Sequence, residues 1–227
     1  MTSRLFVLVA ALFIGAPASS QQQAAPERSR DNFMVVVRES IGANRPDDRL
    51  IPSGKTKAKL PDGREIEFEM ASWEFIGDTH IRFVFDGPTS MINATPPDLE
   101  RLGLKSVDEA LELAIANVRK VYGAPGAKTF EGGIMQVQGK SPDLDSSYFL
   151  DRNFWNDLLK KHPDGMVVSV AKRGGLLYAP TTDVKAVEGL KRGVANLHSS
   201  SQRLLVSSAL FLFKDGKWSV FQAPVKQ

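Results

Sequence analysis

Three tight-turn signals constrain this chain more than any other feature. Pro61-Asp62-Gly63, Arg173-Gly174-Gly175 and Lys214-Asp215-Gly216 each separate two short apolar or alternating runs. Glycine supplies the positive φ that a hairpin turn needs, so each trio folds the chain back on itself. Strands joined this way pair antiparallel, because a parallel pair needs a crossover of about a dozen residues. A doubly wound parallel sheet is a poor match to such a sequence.

The runs beside the turns carry strand patterns. Glu65-Ile66-Glu67-Phe68-Glu69-Met70 alternates polar and apolar residues, which gives a strand with one wet face, and 55–60 is its partner. Further strands are predicted over 81–85, 166–171, 176–178, 204–213 and 217–221, with one within 128–138 interrupted by Gly132-Gly133. Residues 140–145 read as loop.

Helical spacing is best between 107 and 121, where Val107, Ala110, Leu111, Ala114, Val118 and Val121 share a face. Ser106 and Glu109 form a capping box at its start. A shorter helix opens at Thr95-Pro96 and stops at Gly103. Phe154, Trp155, Leu158 and Leu159 mark another, ending before Pro163. Val184, Val187, Leu190, Val194 and Leu197 mark a fourth over 183–199. Phe33, Val36, Val37 and Ile41 predict a short helix over 31–42.

The fold class is therefore α+β, a mostly antiparallel sheet with packed helices. Its C-terminal part, 151–222, reads α-β-β-α-β-β. The predicted helix over 31–42, hairpin over 55–70 and strand over 81–85 give a loose two-fold echo of its start. Gly123-Ala124-Pro125-Gly126 divides an N-terminal half, 31–123, from a C-terminal half, 124–227, the two forming one compact unit.

The first 20 residues read as an address. Arg4 precedes the apolar run Leu5–Ile14, and small residues follow. That is the pattern of a secretory signal peptide, with cleavage after Ala18 or Ser20. The run is too short to span a bilayer, which takes about 20 apolar residues. Residues 21–30 are polar and read as a flexible leader. The expected location is the periplasm or the exterior, with no transmembrane segment in the mature chain.

Composition removes several function classes. With 29 Lys+Arg against 26 Asp+Glu the charge balance is too even for a polybasic nucleic-acid binder. The absence of cysteine removes disulfide scaffolds, thiolate nucleophiles and Cys-based zinc sites. No G-x-S-x-G, H-E-x-x-H, P-loop or G-x-G-x-x-G motif occurs. His80, His162 and His198 are widely spaced and read as surface residues. Neither a metal nor a cofactor is expected.

Four residues stand out as candidates for chemistry. Asp143 and Asp145, beside Ser146 and Ser147, are either a paired-carboxylate site or turn formers that cap the next helix. Asp86 ends a strand and opens Gly87-Pro88-Thr89-Ser90, as a binding residue or a turn former. Arg173 sits in a tight turn, where it could grip a carboxylate or phosphate with both arms of its fork. The structural alternative is the simpler one for each. His198 beside Ser199 does not make a catalytic pair, since adjacent helical residues point apart. Trp73, Trp155 and Trp218 read as core anchors, with an exposed Trp218 as the alternative.

From about Trp73 onward the chain resembles the YtpQ-like bacterial family, whose function is unknown. The resemblance rests on ordered features: Asp86-Gly87-Pro88-Thr89-Ser90-Met91, Pro97-Asp98-Leu99, Leu102-Gly103-Leu104, then Ala114 and Asn117 on a helix. Leu144-Asp145-Ser146-Ser147, Phe154-Trp155, Gly165–Val170, Arg173, Val206-Ser207 and Asp215-Gly216-Lys217-Trp218 continue it. Each motif is weak alone. The chain departs from the family where Ala171-Lys172-Arg173-Gly174 stands in place of Pro-any-Arg-Asp, and 70–80 is abridged. The resemblance implies a fold and a lineage but no activity.

The function expected is a non-catalytic binding or interaction module that engages a peptide or another envelope protein, and no nucleic acid. The alternative is a hydrolase-like or metal-dependent enzyme using Asp86, Asp143, Asp145 and Arg173, which requires those loops to meet in one pocket.

Overall fold

Five consecutive apolar residues, Phe33-Met34-Val35-Val36-Val37, decide how the N-terminal half is built. The structure, a computed structural model that describes residues 26–225, places them in a strand, β1 (Phe33–Glu39), and not in the helix expected over 31–42. All five are at most 1 % exposed. A strand buried on both faces shows no alternation, so its true period is hidden. Three adjacent valines also suit a pleat better than a helix, where their branched side chains lose rotamer freedom. The two-fold echo loses its first helix with this change.

In chain order there follow β2 (Ile51–Pro52), β3 (Lys55–Lys59), β4 (Glu65–Glu69), β5 (Ser72–Glu74), β6 (Thr79–Asp86) and β7 (Met91–Asn93). Helices α1 (Pro96–Arg101) and α2 (Val107–Tyr122) come next, then β8 (Gly126–Thr129) and β9 (Met135–Gln138). A 3₁₀ helix over Pro142–Leu150 leads into α3 (Arg152–Leu159). The chain continues through β10 (Met166–Lys172), β11 (Gly175–Pro180), α4 (Val184–Ser199), β12 (Leu210–Lys214) and β13 (Lys217–Gln222). The signal-peptide assignment over 1–20 lies outside the described residues. The described end of the expected leader is tied down: Arg28 pairs with Asp98, and Arg30 donates to the Leu102 carbonyl.

The protein is α+β, and its strands pair antiparallel. One sheet runs β1-β6-β5-β2, with β7 also on β6. A six-stranded sheet runs β13-β12-β10-β11-β9-β8. The third pairing is the β3–β4 hairpin, in which Lys55, Lys57 and Lys59 stand opposite Glu69, Glu67 and Glu65. Opposite charges directly across a ladder favour that register.

One apolar cluster takes in residues from both sides of Gly123–Gly126, among them Phe33, Phe83, Ala114, Phe149, Trp155 and Phe211. A second fills the space between α4 and the other face of the six-stranded sheet, where Val167 and Leu177 meet Val187, Leu190 and Val194. The alternation along β10 feeds both, with Met166, Val168 and Val170 turned to the larger cluster. Trp155 and Trp218 are buried, and Trp73 packs edge-on against Phe83 at 5.3 Å.

Several local expectations need correction. Residues 140–145 are not plain loop: 142–150 winds into the 3₁₀ helix, and its residues from Leu144 to Leu150 are buried. It bridges the sheets, as Ser147 donates to the Val35 carbonyl at 2.7 Å and Ser146 N–H to the Arg173 carbonyl at 2.8 Å. Residues 204–209 do not join a ladder as a strand, and β12 begins at Leu210. Val121 and Val184, expected on the inner faces, are exposed, one near the end of α2 and one at the start of α4. The Ser106 hydroxyl accepts from Glu109 N–H as expected, but the Glu109 carboxylate takes the N–H of Lys105, one residue earlier than a capping box requires.

Candidate functional site

Two turns and one helix end build a cleft. Strand β6 ends at Asp86, and 87–90 turn back into β7, closed by Gly87 N–H on the Ser90 carbonyl at 3.0 Å. Strand β10 ends at Lys172, where Arg173-Gly174 turns into β11. The Arg173 backbone is held on both sides, donating to the Leu204 carbonyl at 3.1 Å and accepting from Ser146. Between these turns lies a cleft of about 510 Å³. Its charged lining is Arg38, Asp86, Asp143, Lys172 and Arg173, and Tyr122 reaches in from the end of α2. Two exposed apolar side chains, Met91 and Leu204, stand on its walls. The volume suits a small molecule.

Three of the four candidate residues thus meet, namely Asp86, Asp143 and Arg173. Asp145 does not line the cleft. It is 1 % exposed, and its carboxylate accepts the Gly139 N–H at 2.8 Å. Burial pushes its pKa up, partly offset by that bond, so its role is to hold the start of the 3₁₀ helix. Gly139 permits this close fit: a Cβ there would lie 2.3 Å from the Tyr148 hydroxyl.

Sequence reasoning missed Arg38, Lys172 and Tyr122. Arg38 was hidden by reading its segment as helix. As part of β1 it lies opposite His80 on β6. Burial, and then the nearby Arg173 and Arg82, pull the Arg38 guanidinium down to about 10. Tyr122 donates to the Asp86 carboxylate at 2.7 Å, and burial followed by that bond pushes its phenol well up. Tyr122 is therefore a fixed donor at neutral pH. Arg173 has a buried Nε with no hydrogen-bond partner and no ion pair among the described residues.

Gly174 leaves no space for a side chain. A Cβ there would lie 2.8 Å from the Pro142 carbonyl oxygen and 3.1 Å from the Pro142 Cβ. An acid at this position would require the start of the 3₁₀ helix to move.

The histidines correct the surface reading. His80 and His198 are buried, because each fills a polar slot inside the fold. His198 Nε2 lies 2.9 Å from Glu39 Oε1 and serves no serine. His80 accepts from Arg82 Nε at its Nε2, 2.9 Å away, which leaves Nδ1 to donate to the Ser40 hydroxyl at 2.9 Å. An imidazole bonded this way is neutral. Burial first, then Arg82 and Arg38, lower its pKa to about 4.

A pH dependence follows. The unfolded chain takes up a proton near 6.5 while the folded chain resists until about 4. The stabilisation is thus complete above 6.5 and is lost as pH falls between those values. This group contributes a slope of up to about 1.4 kcal/mol per pH unit in that window. Urea titrations at several pH values should show the slope reduced in His80→Gln. An unchanged slope would remove His80 as its source.

Among the described residues no three His, Cys, Asp or Glu side chains are grouped to hold a metal ion, and no helix is long and apolar enough to cross a membrane. Set against known protein families, curated proteins and solved structures, the chain finds no match.

Proposed function

We propose that this is an exported, non-catalytic binding module that takes up a ligand's anionic group in the cleft between the 87–90 and 173–174 turns. The observation that carries the reading is Arg173: its backbone is held on both sides, it lines the cleft with Arg38, and its buried Nε has no hydrogen-bond partner among the described residues. Two guanidiniums close together repel, and an anion between them relieves both the repulsion and the missing hydrogen bond. Export rests on Arg4, the apolar run and the small residues at 15–20. Kinship with the YtpQ-like family is part of the proposal and rests on the ordered motifs alone.

Binding is favoured over catalysis because no histidine lines the cleft and the Tyr122 phenol is locked onto Asp86. Catalysis keeps one supporting observation, the meeting of Asp86, Asp143 and Arg173 in one cleft. Turnover of a chromogenic ester or phosphate, lost in Asp143→Asn with folding intact, would establish it.

The binding reading is tested by calorimetry with phosphate and short carboxylates. Arg173→Met should weaken the best anion by about 10- to 100-fold, the worth of a charge-assisted hydrogen bond pair. Equal binding by variant and parent would overturn it.

A further inference from the structure

We infer that the ligand of this cleft is a zwitterion of the amino-acid class, whose anionic end meets Arg173 and Arg38 and whose cationic end meets Asp86 and Asp143. The inference rests on the anion-binding reading above and extends it to the opposite wall.

Its basis is a pattern of charges that do not pair. The cleft holds three cations and two carboxylates, yet none of the cations forms an ion pair with Asp86 or Asp143. Elsewhere on the surface acids and bases pair readily, as Arg45 does with Glu74 and Arg49 with Asp47. Within the cleft the cations and the carboxylates come from different segments of the chain. The charged groups acting on Arg38 are Arg173 and Arg82. Those acting on Tyr122 are Asp86 and Asp143. Arg38 and Arg173 thus make a basic pole and Asp86 and Asp143 an acidic pole, with Asp143 on the segment that touches the Arg173 turn.

Fixed contacts anchor the segments that carry these charges. Tyr122 occupies one oxygen of Asp86, and the other accepts no hydrogen bond among the described residues. Asp143 is bonded through Ser141 at 3.1 Å, on its own turn. Arg173 is held by the bonds of its backbone to Leu204 and Ser146. A single anion would satisfy the basic pole while lying in the field of two carboxylates. A ligand with an ammonium as well as a carboxylate satisfies both ends at once. Opposite charges in a partly enclosed cleft, where the effective dielectric is below that of water, attract both ends of such a dipole.

The test uses a length series of probes: glycine, β-alanine and γ-aminobutyrate, with butyrate and butylamine as single-charge controls and phosphate as a general anion. Titration calorimetry at neutral pH and low salt should find one amino acid binding about tenfold or more tightly than butyrate. Asp86→Asn and Asp143→Asn should each remove most of that gain and leave butyrate unchanged or tighter. Asn at 86 still accepts from Tyr122, and 143 is exposed, so both variants should fold; circular dichroism checks this. Arg173→Met should weaken amino acid and butyrate alike. If butyrate or phosphate binds as well as every amino acid, or the gain survives both Asn substitutions, the zwitterion inference fails while anion binding stands. If no probe binds, or Arg173→Met changes nothing, the anion reading fails and the inference with it.

Discussion

Trp155→Ala should lower the free energy of unfolding by about 4 kcal/mol, the cost of a large cavity in a packed core. The indole is fully buried and meets Tyr178 at 5.9 Å, Trp218 at 5.2 Å and Phe213 at 6.2 Å, each ring on a different strand of the six-stranded sheet. Its Nε1 donates to the Tyr148 carbonyl at 2.8 Å, which joins α3 to the 3₁₀ helix. Truncation therefore removes ring contacts and one buried hydrogen bond together. Trp155→Phe keeps an aromatic ring and should cost about half as much. Urea unfolding of the two variants beside the parent measures both. A loss below about 1 kcal/mol for the alanine variant would contradict this packing.

Asp151→Ala should be nearly as damaging, at about 3 kcal/mol. The carboxylate is 1 % exposed and takes both arms of Arg119, Nε at 2.6 Å and Nη2 at 2.8 Å. It also caps α3, accepting from Phe154 N–H at 3.2 Å. Loss of the cap costs about 1 kcal/mol. The remainder is the removal of a bidentate partner, softened because Arg119 is partly open to solvent. Asp151→Asn keeps a cap acceptor and should recover about a third of the loss. If both variants unfold at the same urea concentration as the parent, the pair carries no weight.

What could be read in the sequence depended on how each segment meets water. The 65–69 strand alternates polar and apolar residues, so its period is visible, and the 55–69 hairpin forms as expected, although Ile66 and Phe68 are exposed as well and the strand has no dry face. Strand β1 is dry on both faces, and Phe33, Val36 and Val37 within it, with Ile41 beyond its end, match a helical spacing by coincidence. The 3₁₀ helix was hidden by polar letters. Asp145, Ser146 and Ser147 look like a solvated loop, yet they are buried with backbone groups as partners.

The site was legible to the same degree. Asp86 and Arg173 were found because chain reversals carry exposed polar groups. Arg38 and Tyr122 come from regular elements, and only the packing of β1 and α2 brings them to the cleft. Which acids would meet Arg173, and which would turn inward, depended on the path of 142–150. Composition does not encode that path.

The contact of Gly174 with Pro142 has a mechanical consequence. The turn bearing Arg173 rests directly on the segment bearing Asp143, with no room for even a methyl group between them. That contact is a hard stop: the 173–174 turn and the start of the 3₁₀ helix cannot move closer together. A ligand whose two charges are too close together cannot draw the walls inward to fit. Length, more than shape, then becomes the property by which this cleft would select.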